Sequence, residues 1–199
     1  MVEKVTTGFY FTNSYIISND KKEAIIIDCG LMYGNASKLI KEKYDVKAIL
    51  ITHAHMDHID GLQYFMDKPI YMTKETEEMI YDSEKTLYDT IERDTPFSKG
   101  MLNIINVSDN DIINLIGYDI KVIETPGHTD GSTTYLIGND MFSGDTIFSN
   151  GSYGRYDFPT GNFDLLIKSI KKLLEYDDSI VVYPGHGSIT TIGNERKFY

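Results

Sequence analysis

The length, composition and charge of the chain exclude several classes of protein. With 199 residues, 41% of them hydrophobic and 25% charged, the chain is long enough for one well-buried core and short for two, so we expect one domain over residues 1–199. The net charge of −11 at pH 7 repels polyanions, which argues against nucleic acid or an anionic membrane surface as a partner. The sequence has neither a signal-like start nor 18 consecutive apolar residues, so we expect a cytoplasmic protein.

Predicted strands and helices alternate along the chain. Apolar, β-branched runs predict strands at 13–18, 23–28, 46–51, 118–124, 133–137 and 179–183. Helical spacing predicts helices over 36–44, within 74–93 with Met79, Ile80, Leu87 and Ile91 facing inward, and over 163–174 with Phe163 on the apolar face and Asn162 as the cap. This alternation predicts sheets covered by helices. The single cysteine, Cys29, excludes an internal disulfide and is expected to be a buried apolar side chain at a strand end.

Four polar loops follow strand ends: three of them carry all five histidines of the chain, and the fourth carries Asp145. They are "THAHMDHIDG" at 52–61, "TPGHTDGS" at 125–132, "SGDTIF" at 143–148 and "YPGHGS" at 183–188. Loops of this kind present functional side chains from a rigid scaffold. A lone histidine in a glycine-rich loop is ordinarily a hydrogen-bonding residue, but three histidines within six residues favour a metal site.

The chemistry of the side chains indicates which metals are suitable. Imidazole and carboxylate suit zinc and iron, and a chain with one cysteine cannot offer a thiolate site. The alternation of His53 and His55 directs two rings to one side of the strand end. Two adjacent ions need a bridging anion and an open position for water, and Asp145 is our candidate for the bridge. Asp60 either orients a ligating histidine or begins a turn.

The motifs resemble those of a known family. "HAHMDH" matches the H-x-H-x-D-H signature of the metallo-β-lactamase superfamily, and "TPGHTDGS", "SGDTIF" and "PGHG" resemble its later motifs in the same order. The resemblance covers essentially the whole chain. It implies an α/β fold, a four-layer αββα sandwich, with a dinuclear site at the edge between the two sheets. Carried over by motif, His53, His55 and His128 bind one metal, Asp57, His58 and His186 bind the other, and Asp145 bridges them.

One loop resembles a particular branch of this superfamily. "GDTIFSNGSYGRYDFPTGN" is similar to the loop of single-domain glyoxalase II-like hydrolases, which cleave thioesters such as S-lactoylglutathione. The resemblance implies a hydrolase of small-molecule thioesters with two divalent metal ions, zinc first and iron or manganese as alternatives, and a metal-bound hydroxide as nucleophile. Asp57 is a candidate proton acceptor, and ligation alone would equally explain it. The chain ends thirteen residues after His186, without the helical extension with which full-length glyoxalase II grips glutathione. We therefore expect weak selectivity for the thiol.

Several alternatives remain open at this point. Arg155 either holds a substrate carboxylate or pairs with Asp157, and the second interpretation is favoured. The segment 73–95 lies where the superfamily places insertions over the site. Rival functions are a persulfide dioxygenase with one iron and a metal-binding or oxygen-responsive protein without hydrolysis. The absence of a signal peptide and the aspartate at position 145 argue against the secreted β-lactamases. The sequence does not indicate an oligomeric state.

Overall fold

Two six-stranded sheets form the centre of the computed structural model, which describes residues 1–8, 10–30 and 35–199. The first sheet contains, in spatial order, β1 (Val2–Thr7), β2 (Thr12–Ser18), β3 (Glu23–Ile27), β4 (Asp45–Leu50), β5 (Pro69–Met72) and β6 (Asn103–Asn106). The second contains β12 (Thr190–Thr191), β11 (Val181–Pro184), β10 (Asp140–Gly144), β9 (Thr133–Ile137), β8 (Tyr118–Glu124) and β7 (Ile112–Leu115). The strands predicted from the sequence are confirmed to within two residues. The sequence analysis did not predict β1, β5, β6, β7 and β12, and it indicated β10 only as the strand end before "SGDTIF".

Helices cover the outer faces of both sheets. They are α1 (Asn35–Lys43), α2 (Met56–Ile59), α3 (Lys74–Met79), α4 (Phe163–Leu173) and α5 (Ile192–Glu195). Short 3₁₀ segments lie at Asp60–Tyr64, Tyr88–Ile91, Ser149–Gly151 and Arg196–Phe198. Over the residues that the structure describes, none of the helices is both long enough and apolar enough to cross a membrane.

Strand alternation explains why the core has three layers of apolar contact. In β3, Ile25 and Ile27 point between the sheets, whereas Ala24 and Ile26 point towards the helices on the outer face. Because successive side chains of a strand face opposite sides, a strand buried on both faces reads as a continuous apolar run such as "AIII". On the other side of the molecule, α4 packs its apolar stripe on the second sheet. The predicted αββα sandwich is therefore confirmed.

Cys29 lies directly after β3 and is fully buried, as predicted. Burial, together with the nearby carboxylates of Asp28 and Asp60, raises the pKa of its thiol far above the usual range. A thiol that does not ionise is a poor nucleophile. Cys29 therefore contributes packing and not chemistry.

The third predicted helix is wrong over most of its length. The helix α3 ends at Met79, and only Met79 and Ile80 of the predicted inner face are fully buried, while Ile91 is 41% exposed. The Asp82 carboxylate accepts hydrogen bonds from the backbone N–H groups of residues 84 and 85 at 3.0 and 3.1 Å. An aspartate that bonds the backbone locally offers the chain a turn in place of a helix. Leu87, the remaining predicted member, is half-buried with a left-handed backbone at φ 66°.

The helix α4 follows its prediction more closely. The side chain of Asn162 accepts a hydrogen bond from the backbone N–H of Leu165 at 3.0 Å, which confirms it as the cap. Leu166 and Ile170 are fully buried against the second sheet. Phe163 does not join them, because the first residue of the helix faces outward and packs on the ring of Tyr156 at 4.8 Å.

Candidate metal centre

The direction of the strands brings the four histidine- and aspartate-bearing loops to one edge of the sandwich. The strands β3 to β6 run parallel, and β10 runs parallel to β11. Since β8 and β10 are each antiparallel to β9, they also run in the same direction. The loops that follow β4, β8, β10 and β11 therefore leave from carboxyl ends of strands, where α/β folds place their sites.

Three buried histidines form one half of the site, and we call them the three-histidine group (His53, His55 and His128). His128 Nε2 lies 3.2 Å from His53 Nε2 and 2.9 Å from His55 Nδ1. All three side chains are buried. Three ring nitrogens thus converge on one point.

Hydrogen bonds behind two of these rings determine which nitrogen carries the proton. His128 Nδ1 lies 2.6 Å from the Arg155 carbonyl oxygen, which only accepts, so Nδ1 donates and Nε2 presents a lone pair. The Thr52 hydroxyl donates to Asp28 at 2.7 Å and therefore accepts from His53 Nδ1 at 3.1 Å. Two lone pairs then face each other at 3.2 Å. A cation between them resolves this arrangement, and burial disfavours a proton because it lowers the pKa of both histidines.

Asp57, His58 and His186 form the other half, which we call the mixed group. Asp57 Oδ2 lies 3.6 Å from His58 Nε2 and 3.3 Å from His186 Nε2, and it accepts a hydrogen bond from the Thr12 hydroxyl at 2.6 Å. Asp57 and His58 stand on α2, directly after the strand end that carries His53. Thr12, at the start of β2, was not singled out in the sequence analysis.

Asp145 lies between the two groups. Its Oδ1 is 3.5 Å from His58 Nε2, and its Oδ2 is 3.6 Å from His128 Nε2 and 3.4 Å from His186 Nε2. The structure therefore brings together all seven predicted ligands. Asp145 occupies the position that a shared ligand would need.

The cluster fits divalent metal ions. Ligands about 2.1 Å from one ion at tetrahedral angles lie roughly 3.4 Å apart, and the spacings within the cluster run from 2.9 to 3.6 Å. Four buried side-chain polar atoms in the described part of the chain lack a hydrogen-bond partner, and two of them, His58 Nε2 and Asp145 Oδ1, face each other in the cluster. Buried polar atoms without partners are costly and rare. Metal ligation would satisfy both atoms.

Asp28 orients the histidines from behind the cluster. Its carboxylate accepts hydrogen bonds from His58 Nδ1 at 2.8 Å and from the Thr52 N–H and hydroxyl at 2.8 and 2.7 Å. The acceptor behind Nδ1 directs His58 Nε2 into the site. The sequence analysis missed this residue, although an aspartate that ends the strand run "EAIIID" was the available signal.

Asp60 takes the turn role and not the orienting role. It begins the 3₁₀ segment after α2, and its Oδ1 accepts a hydrogen bond from the Tyr88 hydroxyl at 2.7 Å. No hydrogen bond or ion pair in the described residues joins it to a histidine. The hypothesis that Asp60 orients a ligand is therefore wrong, and Asp28 has that position.

Comparison with known families decides which fold family this is. Residues 7–186 match the family described as the metallo-beta-lactamase superfamily. The chain belongs to the metallo-β-lactamase superfamily. The resemblance drawn from "HAHMDH" and the later motifs is thereby confirmed.

Relatives within the superfamily cover nearly the whole chain. The hydroxyacylglutathione hydrolase GloC of Haemophilus influenzae is 32% identical over 216 residues, which cover 98% of this chain and 95% of that protein. The crystal structure of BLEG-1 B3 metallo-β-lactamase has a TM-score of 0.86 at 32% identity, with 99% and 97% of the two chains covered. TTHA1623, solved in a di-iron-bound form, has a TM-score of 0.81 at 29% identity, with 99% and 98% covered.

Two glycines of the metallo-β-lactamase motifs allow the backbone to lie directly against the candidate ligands. A Cβ at Gly185, in "PGHG", would collide with Asp145 Oδ1 and with the ring of His58. A Cβ at Gly154 would collide with the carbonyl oxygen of Asp145 and approach His128 Nδ1. Glycine is required where a backbone approaches this closely. The spacing of the ligands therefore depends on residues that carry no side chain.

Arg155 is paired with Asp157, as favoured from the sequence. Its Nε and an Nη donate to the two carboxylate oxygens of Asp157 at 2.8 and 2.7 Å. The guanidinium also lies over the Phe158 ring at 4.0 Å, and that ring contacts the ring of His55 at 5.7 Å. The Arg155 side chain thus stands two contacts away from the three-histidine group, while its carbonyl binds His128 directly.

The segment 73–95 braces α2 from the side. The Thr86 carbonyl accepts a hydrogen bond from the Met56 N–H at 2.9 Å, and Tyr88 is buried with its hydroxyl on Asp60. Tyr71 and Tyr81 are half-buried against the core. These contacts support the helix that carries Asp57 and His58.

Burial and charge divide the histidines of the centre into two classes. Burial lowers the pKa of all three members of the three-histidine group. It also acts on His58 and His186, but the carboxylates of Asp57 and Asp145, with Asp28 at His58, outweigh it and raise the two pKa values to about 9 and about 11. In turn, His58 and His186 hold the pKa values of the Asp57 and Asp145 carboxyls well below their usual range in spite of burial.

Metal binding is expected to release protons from His58 and His186. At pH 7 the metal-free protein carries a proton on each, because the pKa values of about 9 and about 11 lie above that pH. A metal at Nε2 displaces this proton, so up to two protons leave per chain. Metal affinity rises with pH towards about 11, as first His58 and then His186 loses its competing proton. Calorimetric titration of the metal-free protein with zinc, in buffers of different ionisation enthalpy, measures the release. In His186→Ala, which should lose mainly the ion of the mixed group, up to two protons fewer should be released, because that ion displaces the protons of both His58 and His186. A release equal to that of the wild type would contradict ligation by His186.

Proposed function

We propose that this protein is a metal-dependent hydrolase of thioesters. The observation that carries the proposal is the pair of converging ligand groups joined by Asp145, with contacts of 3.4 to 3.6 Å from its oxygens to histidines of both groups. The thioester bond as target is supported by the identity of 32% with the hydroxyacylglutathione hydrolase GloC over nearly the full length of both chains.

The proposed ligands are the seven residues of the two groups and Asp145. His53, His55 and His128 would hold one divalent ion, Asp57, His58 and His186 would hold the other, and Asp145 would be shared. When bound, such ions activate water at neutral pH and polarise the substrate carbonyl. Zinc suits this set, and the di-iron form of TTHA1623 makes iron the first alternative, with manganese after it.

The residues of the chain have distinct tasks in this reaction. Asp28 and the Arg155 carbonyl fix the tautomers of His58 and His128, so that each ring presents its Nε2 lone pair to the site. Asp57 is proposed to accept the proton of the attacking water as well as to ligate. Its side chain is 15% exposed, so that a proton can pass from it to solvent. The departing thiolate needs no strong acid, because its conjugate thiol has a pKa of about 8.5.

A panel of substrates tests the proposal. Purified protein is loaded with zinc, iron or manganese, and thiol release is measured from S-lactoylglutathione and from thioesters with the same acyl group on a simple thiol. We expect hydrolysis of both, abolished by a chelator and restored by metal. Failure to cleave any thioester with any of the three metals would refute the proposal.

A β-lactam is the second candidate substrate. BLEG-1, named a B3 metallo-β-lactamase, is 32% identical to this chain, and an amide in a strained ring is open to the same attack by activated water. A chromogenic cephalosporin in the same assay decides this point.

Oxygen uptake with the iron-loaded protein and a persulfide tests the dioxygenase alternative. Bound metal with none of these activities would support a protein that only binds metal.

A further inference from the structure

The loop that follows Asp145 carries one cation and one acidic side chain, and the two are paired with each other. Residues 146–162 contain Arg155 as their only basic residue and Asp157 as their only acidic one. Arg155 presents Nε and an Nη to Asp157 in the two-pronged geometry that guanidinium uses for any carboxylate. The carboxylate of a substrate would need the same two donors.

Arg155 lies near the metal centre, so a substrate carboxylate and Asp157 could compete for its guanidinium. Its guanidinium stacks on Phe158 at 4.0 Å, and Phe158 packs edge-on against His55 at 5.7 Å. A substrate whose carbonyl lies at the metal centre and whose thiol part extends over Phe158 would therefore reach Arg155. The ring of Tyr156, the residue after Arg155, packs on the ring of Phe163 at 4.8 Å, and both rings remain partly exposed.

We propose that Asp157 is a specificity-determining residue that neutralises Arg155 and so disfavours thioesters whose thiol carries a carboxylate, such as those of glutathione, relative to neutral thiols. The inference rests on the proposed function and names the substrate class that the site prefers. The surface around Phe158 then offers aromatic rings and a satisfied ion pair, which suit an uncharged, apolar thiol.

The expected effect is moderate and falls on binding. Both side chains of the pair are more than half exposed, and exposed ion pairs are weak, so that a substrate carboxylate can displace Asp157 at modest cost. Arg155 lies away from the reacting carbonyl, so its contact with substrate holds ground state and transition state alike. Such contacts change KM and leave kcat nearly unchanged.

The test compares two thioesters with one acyl group, one on glutathione and one on a neutral thiol such as N-acetylcysteamine. Asp157→Asn should raise the ratio of their kcat/KM values by about fivefold in favour of glutathione, through a lower KM. Asp67→Asn is the matched control, because it removes the same charge from a pair with Lys68 before β5, at the opposite edge of the sheet from the metal centre. The control should leave the ratio unchanged.

Repeating the substitution in a variant that lacks Arg155 shows whether Asp157 acts through Arg155 or through a general effect on the loop. In Arg155→Gln the ratio should fall, and adding Asp157→Asn to it should bring a clearly smaller gain than in the wild-type background, because only repulsion by Asp157 is then relieved. An unchanged ratio in Asp157→Asn, or an equal gain in the absence of Arg155, would overturn the proposal. The affinity for S-methylglutathione, an uncleavable thioether, is measured by calorimetry on the same variants and should rise by about the same factor in Asp157→Asn. This binding measurement tests the role of Asp157 even if no thioester is hydrolysed. Failure of the proposed thioester hydrolysis can therefore be distinguished from failure of the inference about Asp157.

Discussion

Asp145→Ala is expected to lose both metal ions, whereas loss of one outer ligand should cost mainly one ion. Asp145 is the one aspartate of the cluster in contact with both groups: its two oxygens lie 3.5 Å from His58, 3.6 Å from His128 and 3.4 Å from His186. Without it, an ion at the three-histidine group would have only neutral ligands, and an ion at the mixed group would keep Asp57 as its only anionic ligand in the cluster. Since two bound ions would supply several kcal/mol of transition-state stabilisation, we expect kcat/KM for a thioester to fall on the order of a thousandfold.

Elemental analysis of the purified variants measures the metal content directly. His186→Ala is the comparison, because His186 contacts Asp57 and Asp145 but neither His53 nor His55 by any ion pair or hydrogen bond in the described residues. It should keep roughly one ion per chain. Metal content in Asp145→Ala equal to that of the wild type would remove Asp145 from the centre.

Asp28→Asn should lower metal affinity by about 10- to 100-fold without unfolding the protein. The aspartate accepts the His58 Nδ1 proton at 2.8 Å and two bonds from Thr52, so the amide removes the charge that makes His58 a better ligand. The backbone of Asp28 is left-handed, with φ 54°, and asparagine tolerates this conformation better than most residues. The substitution therefore adds little backbone strain, but it removes the charge and places an NH2 group where the carboxylate now accepts a hydrogen bond.

Asp60→Asn is the matched control for Asp28→Asn. Asp60 is also a buried aspartate near α2, but its hydrogen bond goes to the Tyr88 hydroxyl. Competition with a chromogenic chelator gives the metal affinity of both variants, and their melting temperatures show whether either one is merely destabilised. Equal losses of affinity in the two variants would show that Asp28 has no orienting role.

Proximity in the sequence does not identify the residue that orients His58. Asp60 is two positions from His58, yet the chain turns at α2 and directs its carboxylate to Tyr88. Asp28 is 30 positions away, but β3 and β4 are neighbouring parallel strands, so that their carboxyl ends lie side by side. Neither fact is visible until the strands are paired.

The helix predicted within 74–93 is shorter than its apolar pattern indicated. Apolar residues at helical spacing show which side chains could share one face of a helix, but side chains that hydrogen-bond the nearby backbone favour turns instead. The Asp82 carboxylate takes the backbone N–H groups of residues 84 and 85, and the helix has already ended at Met79. After Met79, the turns of the chain and not a helical face determine which apolar side chains are buried, and Ile91 is left exposed.

The sequence by itself determined the ligand types and the layers of the sandwich. His53, His55, Asp57 and His58 lie within six residues, so their proximity is a property of one strand end and one turn. The continuous apolar run of β3 already requires burial on both faces, hence a sheet between two layers. Only the tertiary structure decided how His128, Asp145 and His186 meet this cluster, because three separate strands must end at the same edge. It also decided that Arg155 faces Asp157, since an exposed cation pairs with whichever carboxylate the loop brings within reach.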